Sequence, residues 1–117
     1  MNNKWGYLTD REKRIIASLT KKLRKKLDKE IVEIKLFGSR VKGNYLPDSD
    51  IDLFILVKRK KIKVSDVVDK IIFDCVFNYN LPLSPVLYDL SEFRQNLKLG
   101  SFFFENVQKE GIDIWHE

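Results

Sequence analysis

The chain has 117 residues, 44% hydrophobic and 33% charged, with a net charge of +5. That length supports one hydrophobic core and not two, so residues 1–117 are expected to form a single domain of soluble, globular type. No apolar run approaches the roughly 18 residues of a membrane span. The N-terminal MNNKWGYLTDREKR lacks the apolar centre of a signal peptide. The lone Cys75 excludes an internal disulfide and a cysteine metal cluster, and its apolar surroundings mark it as a small core residue. A cytoplasmic location is the expectation. The positive charge fits a nucleotide, a nucleic acid or an acidic protein as partner, and equally a lysine-rich genome.

The first predicted element is a helix over 9–28. Thr9 and Glu12 have the spacing of a capping box, and Ile15, Leu19, Leu23 and Leu27 recur every fourth residue with Ile16 beside them. Lys21, Lys22, Arg24, Lys25 and Lys26 crowd the rest of its surface, as a solvated face or as a docking surface for an acidic partner or RNA. A strand follows over 31–37, where Val32, Ile34 and Leu36 alternate with Glu33 and Lys35. Residues 44–49 read as a loop, and 51–57 as a second strand. A basic loop with five cations in six residues, 58–63, leads to a helix over 64–78 that Ser65 would cap. Pro82 and Pro85 bracket a turn before a short third strand over 86–90. Further helices are expected from Ser91 to about Leu97 and from Phe102 to before Gly111, with Phe102, Phe103 and Phe104 in the core. The closing 112–115 either adds an edge strand or covers one. His116, the only histidine, reads as a frayed tail, which argues against a Ser-His-Asp triad or a histidine-ligated zinc.

The chemistry concentrates in FGSRVKGNYLPDSDIDLFIL, residues 37–56. On a strand with side-chain period two, Asp50 and Asp52 share one face, and Phe54 and Leu56 continue that face as core. Ile51, Leu53, Ile55 and Val57 form the opposite face against helices. Two adjacent carboxylates repel and are costly to bury without a cation between them. Mg²⁺ suits them, because it takes oxygen ligands and shares its shell with substrate phosphates. Gly38 allows a tight turn and close backbone approach. Ser39 offers a hydroxyl to a phosphate oxygen, a short helix starting there would add N–H donors, and Arg40 and Lys42 add positive charge. Phosphate donors at one strand end beside carboxylates on the next predict a nucleotide-triphosphate site.

Gly38-Ser39, ten residues, then Asp50-x-Asp52 resembles the motif of the polymerase-beta-like nucleotidyltransferases. The short chain and the form FGSRVKG…PDSDIDLFI are similar to the minimal nucleotidyltransferase (MNT) branch, whose members often pair with a HEPN-domain protein as toxin and antitoxin. The resemblance is dense over 37–57 and looser to the C-terminus. It implies an α/β domain with a small mixed sheet of three or four strands and helices mainly on one face. It implies ATP as donor, Mg²⁺ held by Asp50 and Asp52, nucleotide contacts from Gly38, Ser39 and Arg40, and a tyrosine of a HEPN toxin as acceptor of AMP. Active relatives generally carry a third carboxylate on a later strand. Here Ser84 or Pro85 occupies the expected place, and Asp89 is the one acid on the predicted third strand, at an end expected to point away from Asp50. Two further readings therefore stand beside catalysis: a degenerate antitoxin that neutralises its partner by binding alone, and an unrelated basic module that binds nucleic acid.

Overall fold

The protein is described by a computed structural model covering residues 5–43 and 49–117, so the expected loop lies, apart from Ser49, outside the described residues. Helix α1 (Asp10–Leu27) begins at the anticipated capping box. Thr9 Oγ1 accepts from Glu12 N at 3.1 Å, and Glu12 Oε1 accepts from Thr9 N at 2.8 Å. Its stripe of Ile15, Ile16, Leu19, Leu23 and Leu27 is buried, which turns the lysines outward. After a 3-10 turn at Asp28–Glu30 the chain enters β1 (Ile31–Phe37), and the helical turn α2 (Ser39–Lys42) follows. Strand β2 (Ile51–Val57) lies antiparallel to β1. Helix α3 (Ile62–Tyr79) then carries the chain over to β3 (Leu83–Asp89), which is parallel to β2. A parallel neighbour needs such a crossover, because a hairpin can only join antiparallel strands. Helices α4 (Leu90–Lys98) and α5 (Phe102–Glu110) lead to β4 (Ile112–His116), an edge strand antiparallel to β1. The sheet order is β3-β2-β1-β4.

The two faces of β2 organise the core. Ile51, Leu53, Ile55 and Val57 are buried with Ile16 and Leu23 of α1 and Val68 and Ile72 of α3. Phe54 and Leu56 point the other way, into an aromatic cluster with Phe104 and Val107 of α5 and Phe93 of α4. The Phe54 and Phe104 ring centres are 6.1 Å apart and edge-to-face, and Tyr88 lies 4.7 Å from Phe104. The two long helices share one face, as expected, and two nine-residue helices roof the aromatic side.

Several elements differ from expectation in their bounds. Strand β3 starts at Leu83, before Pro85, which an edge strand tolerates because its missing N–H faces no neighbour. Helix α3 starts at Ile62 with no side-chain cap, so Ser65 is interior, its N–H bonded to Lys61 O at 3.0 Å. Helix α4 starts at Leu90 and is capped by Asp89, not opened by Ser91. Of the three consecutive phenylalanines only Phe104 is buried; Phe102 is 79% exposed, because successive helical residues lie about 100° apart. His116 is held in β4, bonded to Asp113.

Phe54 is fully buried and central to the aromatic cluster, so Phe54→Ala should cost about 3–5 kcal/mol in urea denaturation. Phe102→Ala, at an exposed site, should stay within about 0.5 kcal/mol of wild type.

Candidate active site

Strand pairing brings three chain segments to one end of the sheet. Asp52 on β2 lies directly opposite Phe37 on β1 and Ser84 on β3. It shares the face of Phe54 and Leu56, so its carboxylate emerges on the side of α4 and α5. Asp50, two residues earlier and exposed, precedes the strand. The backbone at the strand start is fixed by Ile51 N donating to Pro82 O at 2.8 Å.

Gly38 follows the residue opposite Asp52 and packs against its carboxylate. A Cβ built on Gly38 would overlap Asp52 Oδ2 and stand 3.0 Å from Cγ. Its φ of +84° is also a conformation that side-chain-bearing residues rarely adopt. Glycine is thus required twice, for the turn and for the approach. From this turn α2 rises, with Val41 N and Lys42 N both donating to Gly38 O at 3.1 and 3.3 Å. Ser39, as first residue of that turn, has a main-chain N–H with no i−4 acceptor within the helix, and its side chain is half-buried beside the acidic strand end.

The site is electrostatically incomplete. Burial, and then the charge of Asp50, raise the Asp52 carboxyl above its ordinary value of 3.8. Among the described residues no lysine or arginine pairs with either carboxylate. Adjacent oxygen donors lacking a counter-charge fit a hard divalent cation. No third metal-ligating side chain joins them among the described residues.

Arg40, expected at the nucleotide, is turned inward. It is 5% exposed and paired with Glu12 at the start of α1, and its Nη1 donates to Ser49 O at 3.3 Å. It therefore ties α2 both to α1 and to the residue preceding Asp50, and in this arrangement its guanidinium is engaged within the protein. Only Glu12, an acid already used in a helix cap, could have signalled this, and nothing in its local sequence does. Asp89 is excluded from the site twice over. It pairs with Val57, five residues along β2 from Asp52, about 16 Å at strand rise. It also shares the parity of Leu87, which packs on the α1/α3 face. Its carboxylate instead caps α4, accepting from Glu92 N at 2.9 Å. The position on the site face beside Asp52 belongs to Ser84. Cys75 lies on the buried face of α3, where burial pushes its thiol up, as expected of a core residue.

Beside Gly38, under α5, a cleft of about 160 Å³ is lined by Phe37, Val41, Phe103 and Val107, with Lys42 and Glu110 bonded at its rim at 2.9 Å. It is smaller than the several hundred Å³ of a typical ligand pocket, and so would hold one part of a ligand.

A glycine-serine turn pressed on an acidic strand end, in a mixed sheet with a parallel crossover, is an arrangement suited to handling phosphates together with a cation. Residues 16–113 match the family described as the nucleotidyltransferase domain, and the chain belongs to that family. It is similar to two proteins of Methanocaldococcus jannaschii, each named "Putative protein adenylyltransferase". One is 31% identical over 93 residues, covering 79% of this chain and 83% of the relative. The other is 27% identical over 78 residues, and the match spans 64% of this chain and only about half (53%) of that relative. The fold is similar to a crystal structure of a "putative nucleotidyltransferase from Sulfolobus solfataricus", with a TM-score of 0.59, 18% identity, and coverage of 89% of this chain and 79% of that one.

Because the Asp52 pKa is raised, the folded protein holds that proton to a higher pH than the unfolded chain. Between 3.8 and the raised value the native state binds more protons, so stability falls as pH climbs through that window. Asp52→Asn should therefore melt above wild type at neutral pH, with the gain vanishing below about pH 3.8, as read from Tm against pH without divalent metal. Gly38→Ala should lose about 1–3 kcal/mol from its backbone strain alone. Adding Asp52→Ala should recover the part due to the overlap and leave the strain.

Proposed function

We propose that the protein transfers AMP from ATP to a protein hydroxyl in a Mg²⁺-dependent reaction, with a tyrosine of a HEPN-domain toxin as acceptor, and so acts as an antitoxin. The observation that carries this reading is the Asp50/Asp52 pair, one carboxyl raised by burial and by its neighbour, facing the Gly38-Ser39 turn. Family membership and the names of the relatives support nucleotidyl transfer to protein. The HEPN partner rests on the resemblance of residues 37–57 to the MNT branch.

In this reading the acceptor oxygen bonds to the α-phosphorus of ATP, the bond to the β-phosphate oxygen breaks, and pyrophosphate leaves with the electron pair. Bound Mg²⁺ would neutralise phosphate charge and align the attacking and leaving oxygens. Asp50 and Asp52 would hold it. The Ser39 hydroxyl and N–H would hold the β- and γ-phosphates, and Gly38 gives them room to approach. The hydroxyl proton must go to a base near the attacking oxygen, a role open to a carboxylate oxygen of the Asp50/Asp52 pair that the cation does not take up.

A second reading has its own observation. Ser84 stands beside Asp52 where a third carboxylate would be useful, and Asp89 is committed to capping α4. A domain that binds nucleotide and partner but transfers slowly, or not at all, follows from that departure.

Calorimetry with Mg²⁺-ATP should give binding to wild type and a loss of at least about tenfold in Asp50→Asn and Asp52→Asn. Ser39→Ala should weaken ATP more than free Mg²⁺. Incubating the protein with labelled ATP, Mg²⁺ and a HEPN-domain partner should label the partner, and Asp52→Asn should not label it. ATP binding without label in any acceptor would leave the binding-only reading. In the same assay Asp89→Ala should transfer as wild type while losing about 1 kcal/mol of stability with its cap.

A further inference from the structure

The lysine face of α1 has no part in the chemistry above, because α1 and α3 lie on the sheet face away from the carboxylates. Those two helices run antiparallel: Leu27 and Val64 share one end, and at the other Arg11 donates to Tyr79 O at 2.5 Å. Between them lies a groove in two sections of about 250 and 370 Å³ that share Lys26 and Val67. Each helix has 18 residues, or about 27 Å of length.

The groove has an apolar floor and cationic rims. Val67 and Ile71, both half-buried, form the floor. Lys22 and Lys26 of α1 stand on one side, Lys70 of α3 on the other, and Lys61 and Lys63 at the end where α3 begins, all exposed. Carboxylates occur only at the extremes, Asp74 at one and Glu30 at the other, and Glu30 Oε1 is buried with no hydrogen-bond partner among the described residues.

We propose that this groove seats an acidic amphipathic helix of a partner protein, its apolar stripe on Val67 and Ile71 and its carboxylates against the flanking lysines. The charge pattern selects this occupant. A helix laid in a groove buries apolar anchors at i, i+3, i+4 and i+7 while its flanks stay polar, which is the cross-section found here. A nucleic acid strand would set phosphates over the apolar floor and beside Glu30 and Asp74. It would also find no aromatic ring in the lining for its bases to stack on. Opposed charge at the rims steers encounter and fixes register, while the floor supplies the area removed from water. The inference is independent of nucleotidyl transfer, since none of these residues belongs to that site.

The test uses the full chain, labelled with ¹⁵N, and three probes. One is a synthetic helical peptide of about 18 residues, matching the groove's length, with leucines on one face and glutamates flanking them. The second has glutamine for each glutamate, and the third is an RNA hairpin of similar length. The glutamate peptide should shift the amide signals of Lys22, Lys26, Val67, Lys70 and Ile71, and should bind about tenfold more tightly than the glutamine peptide. Lys26→Glu/Lys70→Glu should lose about tenfold in affinity for it, and Lys26→Gln/Lys70→Gln less, with Tm unchanged because both lysines are exposed. Equal affinity for the two peptides, shifts centred elsewhere, tighter binding of the RNA in the groove, or no binding of the glutamate peptide would each overturn the proposal.

Discussion

The contact on which the site depends is that of the Gly38 backbone with the Asp52 carboxylate. It exists because β1 and β2 pair antiparallel with Phe37 opposite Asp52, so the turn leaving one strand meets the acid entering the other. Any residue larger than glycine would displace the carboxylate, and any shift of one residue in register would turn Asp52 to the opposite face. That register is held by the core beneath it. Leu53 and Ile55 interlock with α1 and α3, and Phe54 and Leu56 with the aromatic roof, so a slip would exchange two incompatible faces. The ordinary hydrophobic core thus fixes the position of a charged group at its edge.

Around that contact the fold supplies unequal support. Arg40 links the α2 turn to Glu12 and to Ser49, so the start of α1, the Gly38-Ser39 turn and the approach to Asp50 are tied together. The crossover through α3 brings Ser84 beside Asp52, and the edge position of β3 lets Pro85 stand in a strand. Among the described residues no comparable device delivers a third acid. The chain belongs to the nucleotidyltransferase domain family, and the carboxylates that the described residues bring to this end of the sheet are Asp50 and Asp52, with Ser84 in the neighbouring strand position.

Much of this was legible in the sequence, for identifiable reasons. The first strand alternates, the second is a short apolar run led by Asp-x-Asp, and the ends of both agree with the structure. The capping box of α1 is local chemistry and needs no tertiary information. The carboxylate pair and the glycine-serine turn are likewise written in period and spacing. What could not be read is whatever depends on distant partners. Arg40 beside Ser39 looks like a phosphate ligand until the fold brings Glu12, 28 residues earlier, against it. Asp89 had an undecidable face until the parallel register with β2 assigned its parity. Pro85 hid three residues of β3, because a proline argues against a strand unless the strand is known to lie at an edge. Phe102 looked like core because a run of aromatics does not reveal which of them faces inward.

The most direct test of the account is to locate a paramagnetic ion. With Mn²⁺ and ATP added to ¹⁵N-labelled protein, the amide signals of Gly38, Ser39, Asp50, Asp52 and Ser84 should broaden first, and those of Asp89 and the α1/α3 groove should persist. Asp52→Asn should abolish the broadening. Broadening centred on Asp89, on the lysine groove, or unchanged in Asp52→Asn would contradict the claim that Asp50, Asp52 and the Gly38-Ser39 turn form the nucleotide site.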